Sequence, residues 1–323
     1  MEDTPAFLDH QFELSQGFIH LYINFVANIT FTTGCMNSKN TSFSTKKPIV
    51  VNGKELTFEV PRIMGILNIT PDSFYDGGRY STLDKAIERV EQMLVEGADL
   101  IDIGAVSTRP GSKGITSHEE AEKLIPVLQM IRRVFPTTII SVDTYNADTA
   151  KQAIEHGADI INDISGGTFD RDMIPLISKH DVGFIIMHIQ GTPENMQKDP
   201  QYGDVVYEVR EFLFDQARKT SQAGNPNVII DPGFGFGKTL EQNYKMLHEL
   251  HLFHEGGWPV MAGLSRKSMI NRLLGITPEE ALNGTTVLNT LAIMKGADIL
   301  RVHDVNEARE VVEIIRFLSG VAR

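Results

Sequence analysis

Polar residues of complementary chemistry stand at the ends of short apolar runs throughout this sequence. Asp102 follows Leu100-Ile, Asp143 follows Ile139-Ile-Ser-Val, Asn162 and Asp163 follow Ile160-Ile, His188 follows Phe184-Ile-Ile-Met, and Asp231 follows Val228-Ile-Ile. Asn68-Ile-Thr70 ends an earlier run, Ser265-Arg-Lys267 a later one and Arg301-Val-His303 the last. Two kinds of chemistry separate among them. Asp143, Asn162, Asp231 and Lys267 offer carboxylates, an amide and an ammonium, which suit a flat heterocycle with donors on one edge and acceptors on another. Ile164, Met187 and Phe236 supply the apolar walls such a ring needs. Asn68, Arg301 and His303, with the glycine loop Asp76-Gly-Gly78, form a second zone. There a guanidinium and a protonated imidazole neutralise phosphate oxygens, and an Asn oxygen suits a hard cation.

The elements that must position these residues follow from hydrophobic periodicity. Asn52-Gly53 between two apolar stretches predicts a hairpin with a type I′ turn over 49–60. Beyond it, strands are expected at 63–70, 100–105, 138–144, 159–165, 183–189, 228–233, 259–265 and 299–304. Helical segments alternate with them at 83–96, 117–135, 147–156, 170–179, 204–222, 240–250, 278–295 and 306–318. Gly-Ala-Asp recurs at 97–99, 157–159 and 296–298, where the glycine is expected to end a helix in the left-handed conformation. Ser117 and Glu120 have the spacing of a capping box. Continuous apolar strands alternating with helices imply a parallel sheet covered by helices. Eight such units predict a closed (β/α)8 TIM barrel, with an open doubly wound sheet as the competing architecture. Ligands bind beyond the carboxyl ends of the strands in either case, where the polar residues collect. Strand side chains alternate faces, so Arg301 and His303 address one space.

Composition narrows the function classes. The 323 residues hold 30 Lys and Arg against 42 Asp and Glu, a formal net charge of -12, which argues against a nucleic-acid or anionic-membrane surface. The single cysteine, Cys35, excludes a disulfide framework and a thiolate zinc site and suits a cytoplasmic protein. The apolar stretch 18–31 is short for a spanning helix, contains His20, Asn24 and Asn28, and follows an acidic leader, so neither a membrane anchor nor an export signal is expected. Residues 1–47 are expected to form a poorly ordered N-terminal extension and residues 48–323 the barrel. Met36 is an alternative start, with a genuine flexible extension the equal reading. Gly233–Thr239 is not a phosphate loop, because Pro232 occupies the place of the first glycine of a Walker A run. His248, His251 and His254 lack the spacing of a zinc motif and are expected on a solvated face.

The motifs, taken together and in order, resemble the dihydropteroate synthase family. They are Met64-Gly-Ile-Leu-Asn-Ile-Thr-Pro-Asp-Ser-Phe74, Asp102-Ile-Gly, Ser107-Thr-Arg-Pro-Gly111, Ser141-Val-Asp-Thr144, Asn162-Asp-Ile-Ser-Gly166 and Met187-His-Ile-Gln-Gly-Thr-Pro193. Asp231-Pro-Gly-Phe-Gly-Phe-Gly-Lys238, Gly263-Leu-Ser-Arg-Lys-Ser268 and Arg301-Val-His-Asp304 complete the set, so the resemblance spans about residues 48 to 320. It implies a pterin-binding barrel that joins 4-aminobenzoate to 6-hydroxymethyl-7,8-dihydropterin diphosphate, with release of pyrophosphate, in folate synthesis. It implies that Asp143, Asn162, Asp231 and Lys267 hold the pterin, that Arg301 stacks beside the ring and with His303 faces the diphosphate, and that Asn68 binds Mg2+. It further implies an aminobenzoate pocket from Thr108, Arg109 and Ser268 with mobile loops at 72–80 and 107–114. Asp143, Lys267 and Arg301 are the residues expected to act in catalysis.

One departure stands out. Ala105-Val106 occupies the place where many members carry Gly-Glu, which bears on the loop's polar contacts and on aminobenzoate. A corrinoid-dependent methyltetrahydrofolate methyltransferase and a non-catalytic pterin-binding paralogue are the alternative functions; Ser265-Arg-Lys267 with Arg301 and His303 speak against the first. Members of this kind are commonly homodimers through late helices. Val311, Ile314, Ile315 and Leu318 suit such a face, although packing onto the barrel is the favoured reading for them.

Overall fold

The computed structural model describes residues 48–69, 78–105 and 115–321; the expected extension at 1–47 lies outside the described residues. A hairpin of β1 (Ile49–Val51) and β2 (Lys54–Leu56) turns at Asn52-Gly53, both at positive φ, as a type I′ turn demands. It leads into β3 (Arg62–Asn68), α1 (Gly78–Glu96), β4 (Leu100–Gly104), α2 (Ser117–Val134), β5 (Ile139–Asp143), α3 (Ala147–Glu155) and β6 (Ile160–Asp163). The chain continues through α4 (Met173–Ile177), β7 (Gly183–Met187), α5 (Val205–Ala223), β8 (Val228–Asp231), α6 (Leu240–His248) and a 3₁₀ turn at Leu250–Gly256. It ends with β9 (Met261–Ala262), α7 (Ser268–Leu274), α8 (Leu282–Met294), β10 (Ile299–Val302) and α9 (Val305–Val321).

The eight strands β3 to β10 are parallel, in the order β8-β7-β6-β5-β4-β3-β10-β9. The two ends of that sheet meet where Ile230 pairs with Val260 and its N–H donates to Pro259 O at 2.9 Å, so the sheet closes as a barrel. Period-two alternation sorts the strand residues. Ile63, Leu67, Ile101, Ile103, Ile140, Val142, Ile161, Phe184 and Ile186 pack outward with the helices. Met64, Leu100, Ile160, Ile185, Ile229, Met261 and Ile299 form a separate inner cluster with Ile49, Val51, Leu56 and Phe58 of the hairpin segment. The hairpin therefore plugs the amino-terminal end of the barrel.

The three Gly-Ala-Asp repeats do more than end helices. Gly97, Gly157 and Gly296 lie at φ 101°, 95° and 100°, each ending a helix as expected. Each following aspartate then bonds the backbone of the strand before its own: Asp99 accepts from Ile63 N (2.9 Å), Asp159 from Ile140 N (2.9 Å) and Asp298 from Val260 N (2.7 Å). Cations gather on these carboxylates, Arg62 and Arg309 on Asp99, Lys54 and Arg132 on Asp159. This is the end of the barrel where polar residues serve stability.

Several expected boundaries shift. α7 was not expected, β9 is only Met261–Ala262, and α8 starts at Leu282 rather than 278. Backbone helix begins at Gly78, inside the expected glycine loop. The capping box of α2 is Thr116 with Glu119, one residue before the expected pair. His248 and His251 are exposed, but His254 turns inward, its Nδ1 4.0 Å from Asp298, so it is not part of a solvated face.

Candidate active site

Register and side-chain parity bring the expected residues to one end of the barrel. Asp102 lies beside Ile66 and Ser141, Asp143 beside Gly104 and Asn162, and Asp231 beside Met187. Asp102, Asn162, Asp231 and Arg301 face inward because the inner-cluster residue two positions earlier does: Leu100 below Asp102, Ile160 below Asn162, Ile229 below Asp231, Ile299 below Arg301. The lower layer of the barrel is thus apolar and the upper layer polar.

Arg301 organises one half of that layer. Its Nε donates to Asp102 Oδ2 (2.6 Å) and its Nη2 to Asp143 Oδ2 (2.9 Å), while Asn162 Nδ2 donates to the same Asp102 oxygen at 3.0 Å. Asp102 is fully buried and its Oδ1 has no hydrogen-bond partner among the described residues. Burial pushes the Asp143 carboxyl up to about 7; Arg301 opposes that shift, while Asp102, Glu120 and Asp163 add to it. Burial works against the Arg301 charge, but Asp102 and Asp143 outweigh it and hold the guanidinium more firmly protonated. Asp102 is a strand-end residue that lies outside the expected set of site residues. Its signal was parity, since it stands on the inward face with Leu100 and Gly104.

The other half is built on the glycine loop after β8. Asp231 accepts from Gly233 N at 2.8 Å. Its carboxyl is pushed up by burial, against that hydrogen bond and the charges of Lys267, Arg301 and Lys238. Lys267 Nζ donates to Phe234 O (2.6 Å) and sits 4.2 Å from the centre of the Phe236 ring, a cation–π arrangement. Burial lowers Lys267 to about 8; Asp231 and Asp143 oppose this and Arg301 reinforces it, so its ammonium shares one electrostatic space with the Arg301 cluster. The loop itself is held from beneath by Lys238, which is 1% exposed. Its Nζ donates to the carbonyls of Gly233 (2.9 Å), Phe236 (2.9 Å) and His188 (3.2 Å) and lies 3.1 Å from His188 Nδ1. Lys238 and His188 are therefore supports of the loop. Burial, with Lys238 beside it, drives His188 far down and keeps it neutral.

His303 corrects an expectation. Ser265 Oγ accepts from His303 N (3.2 Å) and lies 3.0 Å from its Nδ1. With the serine proton directed to Nδ1, the ring proton sits on Nε2. Burial and the Arg301 charge lower His303 to about 4, so at neutral pH it offers a neutral N–H and not the positive charge expected of it. Arg266, at φ 53°, turns away from the mouth to grip Asp304 through two 2.9 Å bonds.

Ile164 and Met187 are buried, and Ser268 is the exposed first residue of α7. Asn68 ends β3, exposed on the same upper rim, and bonds no side chain among the described residues. Thr108, Arg109 and Val106 lie outside the described residues. No group of three or more His, Cys, Asp or Glu among the described residues could cage a metal ion. No helix among them is long and apolar enough to cross a membrane.

A mouth with paired carboxylates, an amide, a cation over an aromatic ring and a buried guanidinium can hold a polar fused ring edge-on while presenting positive charge beside it. Known proteins carry the same frame. A Yersinia pestis dihydropteroate synthase solved with a sulfonamide drug superposes with TM-score 0.80 at 37% identity, covering 85% of this chain and 100% of that one. The Xanthomonas albilineans dihydropteroate synthase with 4-aminobenzoic acid superposes with TM-score 0.79 at 36% identity, covering 85% and 98%. The Escherichia coli dihydropteroate synthase is 39% identical over 269 residues, 83% of this chain and 95% of its own length. The family model described as "Pterin binding enzyme" matches residues 64–303, the stretch from β3 to His303 that holds every described residue of the mouth, and the chain belongs to that family.

Proposed function

We propose that this chain is a dihydropteroate synthase. It joins 4-aminobenzoate to 6-hydroxymethyl-7,8-dihydropterin diphosphate, forming 7,8-dihydropteroate and pyrophosphate in folate synthesis, as a transferase of the pterin-methyl group. The observation that carries this reading is the convergence of Asp143, Asn162, Asp231, Lys267 and Arg301 at one mouth, in a chain that spans nearly the whole length of synthases of that name.

The chemistry follows from these groups. The aromatic amine is neutral at pH 7 and nucleophilic, so the demanding step is breaking the bond between the pterin methylene carbon and the diphosphate oxygen. Its electron pair leaves with pyrophosphate, the amine nitrogen bonds the carbon, and the nitrogen then releases a proton. Asp143 and Asp231 accept ring N–H groups and stabilise positive charge developing on the pterin as the bond opens. Asn162 reads the same edge, Lys267 donates to an acceptor of the ring, and Ile164, Met187 and Phe236 shield its faces. Arg301 and the neutral N–H of His303 steady the departing oxygens. Thr108, Arg109 and Ser268 are assigned to aminobenzoate.

Asn68 offers a hard side-chain oxygen, and its exposed position on the rim suits a magnesium ion shared with substrate phosphates. Bound there, Mg2+ would neutralise charge on the diphosphate. The reading includes a cytoplasmic location and a homodimer through α8 and α9.

Measuring pyrophosphate release with both substrates, with and without Mg2+, tests it. Release that needs both substrates and the metal is expected. Methyl transfer from methyltetrahydrofolate would install the corrinoid alternative, and pterin binding without release the non-catalytic one.

A further inference from the structure

Glu120 is fully buried on the first turn of α2, and nothing in the reaction so far uses it. One of its oxygens, Oε2, accepts three hydrogen bonds: from Asn146 Nδ2 (2.7 Å), Thr149 Oγ1 (2.8 Å) and Thr144 Oγ1 (3.0 Å). Its other oxygen, Oε1, has no hydrogen-bond partner among the described residues, and no Lys, Arg or His among them pairs with it. Burial pushes the Glu120 carboxyl up, and its hydrogen bonds with Asn146, Thr149 and Thr144 work against that shift. Burying a carboxyl is costly unless it is hydrogen-bonded, so its three donors and their placement carry meaning. All three belong to the segment that leaves β5 directly after Asp143. Thr144 is also held by Asn146 N, which donates to Thr144 Oγ1 at 3.1 Å.

We propose that Glu120 is a positioning residue for the pterin site: its bonds to Thr144, Asn146 and Thr149 clamp the segment that leaves β5 so that Asp143 faces the ring. This rests on the proposed function only for its kinetic readout. The other charges facing Asp143 are Arg301 from β10 and Lys267 from the segment after β9, which favour its ionisation, and Asp102 from β4 and Asp163 from β6, which resist it alongside Glu120.

The test is a pH titration of the Asp143 carboxyl 13C resonance in the ligand-free protein, assigned by its loss in Asp143→Asn. The parent midpoint is expected near 7. Glu120→Ala, which removes the acceptor of all three bonds, should move it by about one unit, because Asp143 is no longer held fixed among these charges. A midpoint that stays overturns the proposal, even if melting shows the variant destabilised. Thr144→Val, which keeps Glu120 but cuts one bond of the clamp, covers the case in which Glu120→Ala does not fold. It should raise KM for the dihydropterin diphosphate about tenfold, the worth of one hydrogen bond to a charged group, with KM for aminobenzoate unchanged. An unchanged pterin KM overturns the positioning role. A chain that releases no pyrophosphate but shows the shifted midpoint loses the proposed activity and keeps this inference.

Discussion

Arg301 Nη2 meets Asp143 Oδ2 at 2.9 Å across 158 positions of sequence, and the same guanidinium grips Asp102 through Nε at 2.6 Å. One cation thus binds two inward carboxylates from separate strands, one of them fully buried. Only a planar fork reaches both. Arg301→Ala leaves the pair uncompensated, so unfolding free energy should fall by about 3–5 kcal/mol and turnover by roughly 100-fold or more. Arg301→Lys should restore most stability but little turnover, because an ammonium meets one partner. Urea unfolding and pyrophosphate release check both, and unchanged turnover in the alanine variant would remove Arg301 from the reaction.

The pH dependence has a worked sign. Asp143 titrates near 7 and Lys267 near 8 in the ligand-free site. The ring needs the carboxylate and the ammonium, so kcat/KM for the pterin substrate should rise through pH 7 and fall above pH 8. Asp143→Asn should abolish the acid limb along with most activity. Stability runs the other way on the acid side. A carboxyl with a raised folded value binds more protons folded than unfolded between about pH 4 and 7, so stability declines as pH rises across that window. Lys267, lowered in the fold, makes stability recover from about pH 8 towards its unfolded value. A denaturation series at constant ionic strength checks these slopes.

Most of the barrel was legible because period-two apolar runs alternating with helical periods leave few architectures. The inward residues Asp143, Asn162, Asp231 and Arg301 were legible for the same reason, since strand parity carries them to one face. What escaped was set by packing. Thr116-x-x-Glu119 and Ser117-x-x-Glu120 both have capping-box spacing, and only burial shows that the first caps the helix and the second is turned inward. Arg266 and Lys267 are adjacent and chemically alike in sequence, yet one grips Asp304 and the other the Phe234 carbonyl. His303 loses its charge to burial beside Arg301, which no local pattern records.

Gly233→Ala is expected to damage the site through backbone geometry. Gly233 sits at φ 71°, and an added Cβ would lie 2.1 Å from His188 O. Left-handed strain alone costs about 1–3 kcal/mol, and this clash with backbone cannot be relieved by rotating a side chain. Asp231 Oδ1 would lose its Gly233 N–H, and the Phe234 carbonyl beneath Lys267 would shift with the loop. The melting temperature and pterin affinity should both fall, whereas Gly257→Ala, whose Cβ would meet nothing within 4 Å, should carry backbone strain alone and spare affinity. Equal losses of affinity in the two variants would show that the loop does not depend on this contact.

The late helices present an apolar surface that the barrel does not cover. On α9, Val311 and Ile315 pack inward as favoured, but Ile314, Phe317, Leu318 and Val321 are 60% or more exposed. These four lie at i, i+3, i+4 and i+7, one helical face. Val287, Leu291 and Met294 form a second exposed stripe on α8, which packs directly against α9. Two adjoining apolar stripes of this kind mark an interaction surface, and a twofold dimer would bury the same patch from both copies. Light scattering of the parent should give a dimer mass. Phe317→Asp combined with Leu291→Asp places a charge in each stripe and should yield monomers, because a stable interface of about 800 Å² per partner does not tolerate unpaired buried charge at its centre. Neither residue takes part in the mouth, so pyrophosphate release per chain should persist. A parent that is monomeric at micromolar concentration would assign the stripes to some other partner.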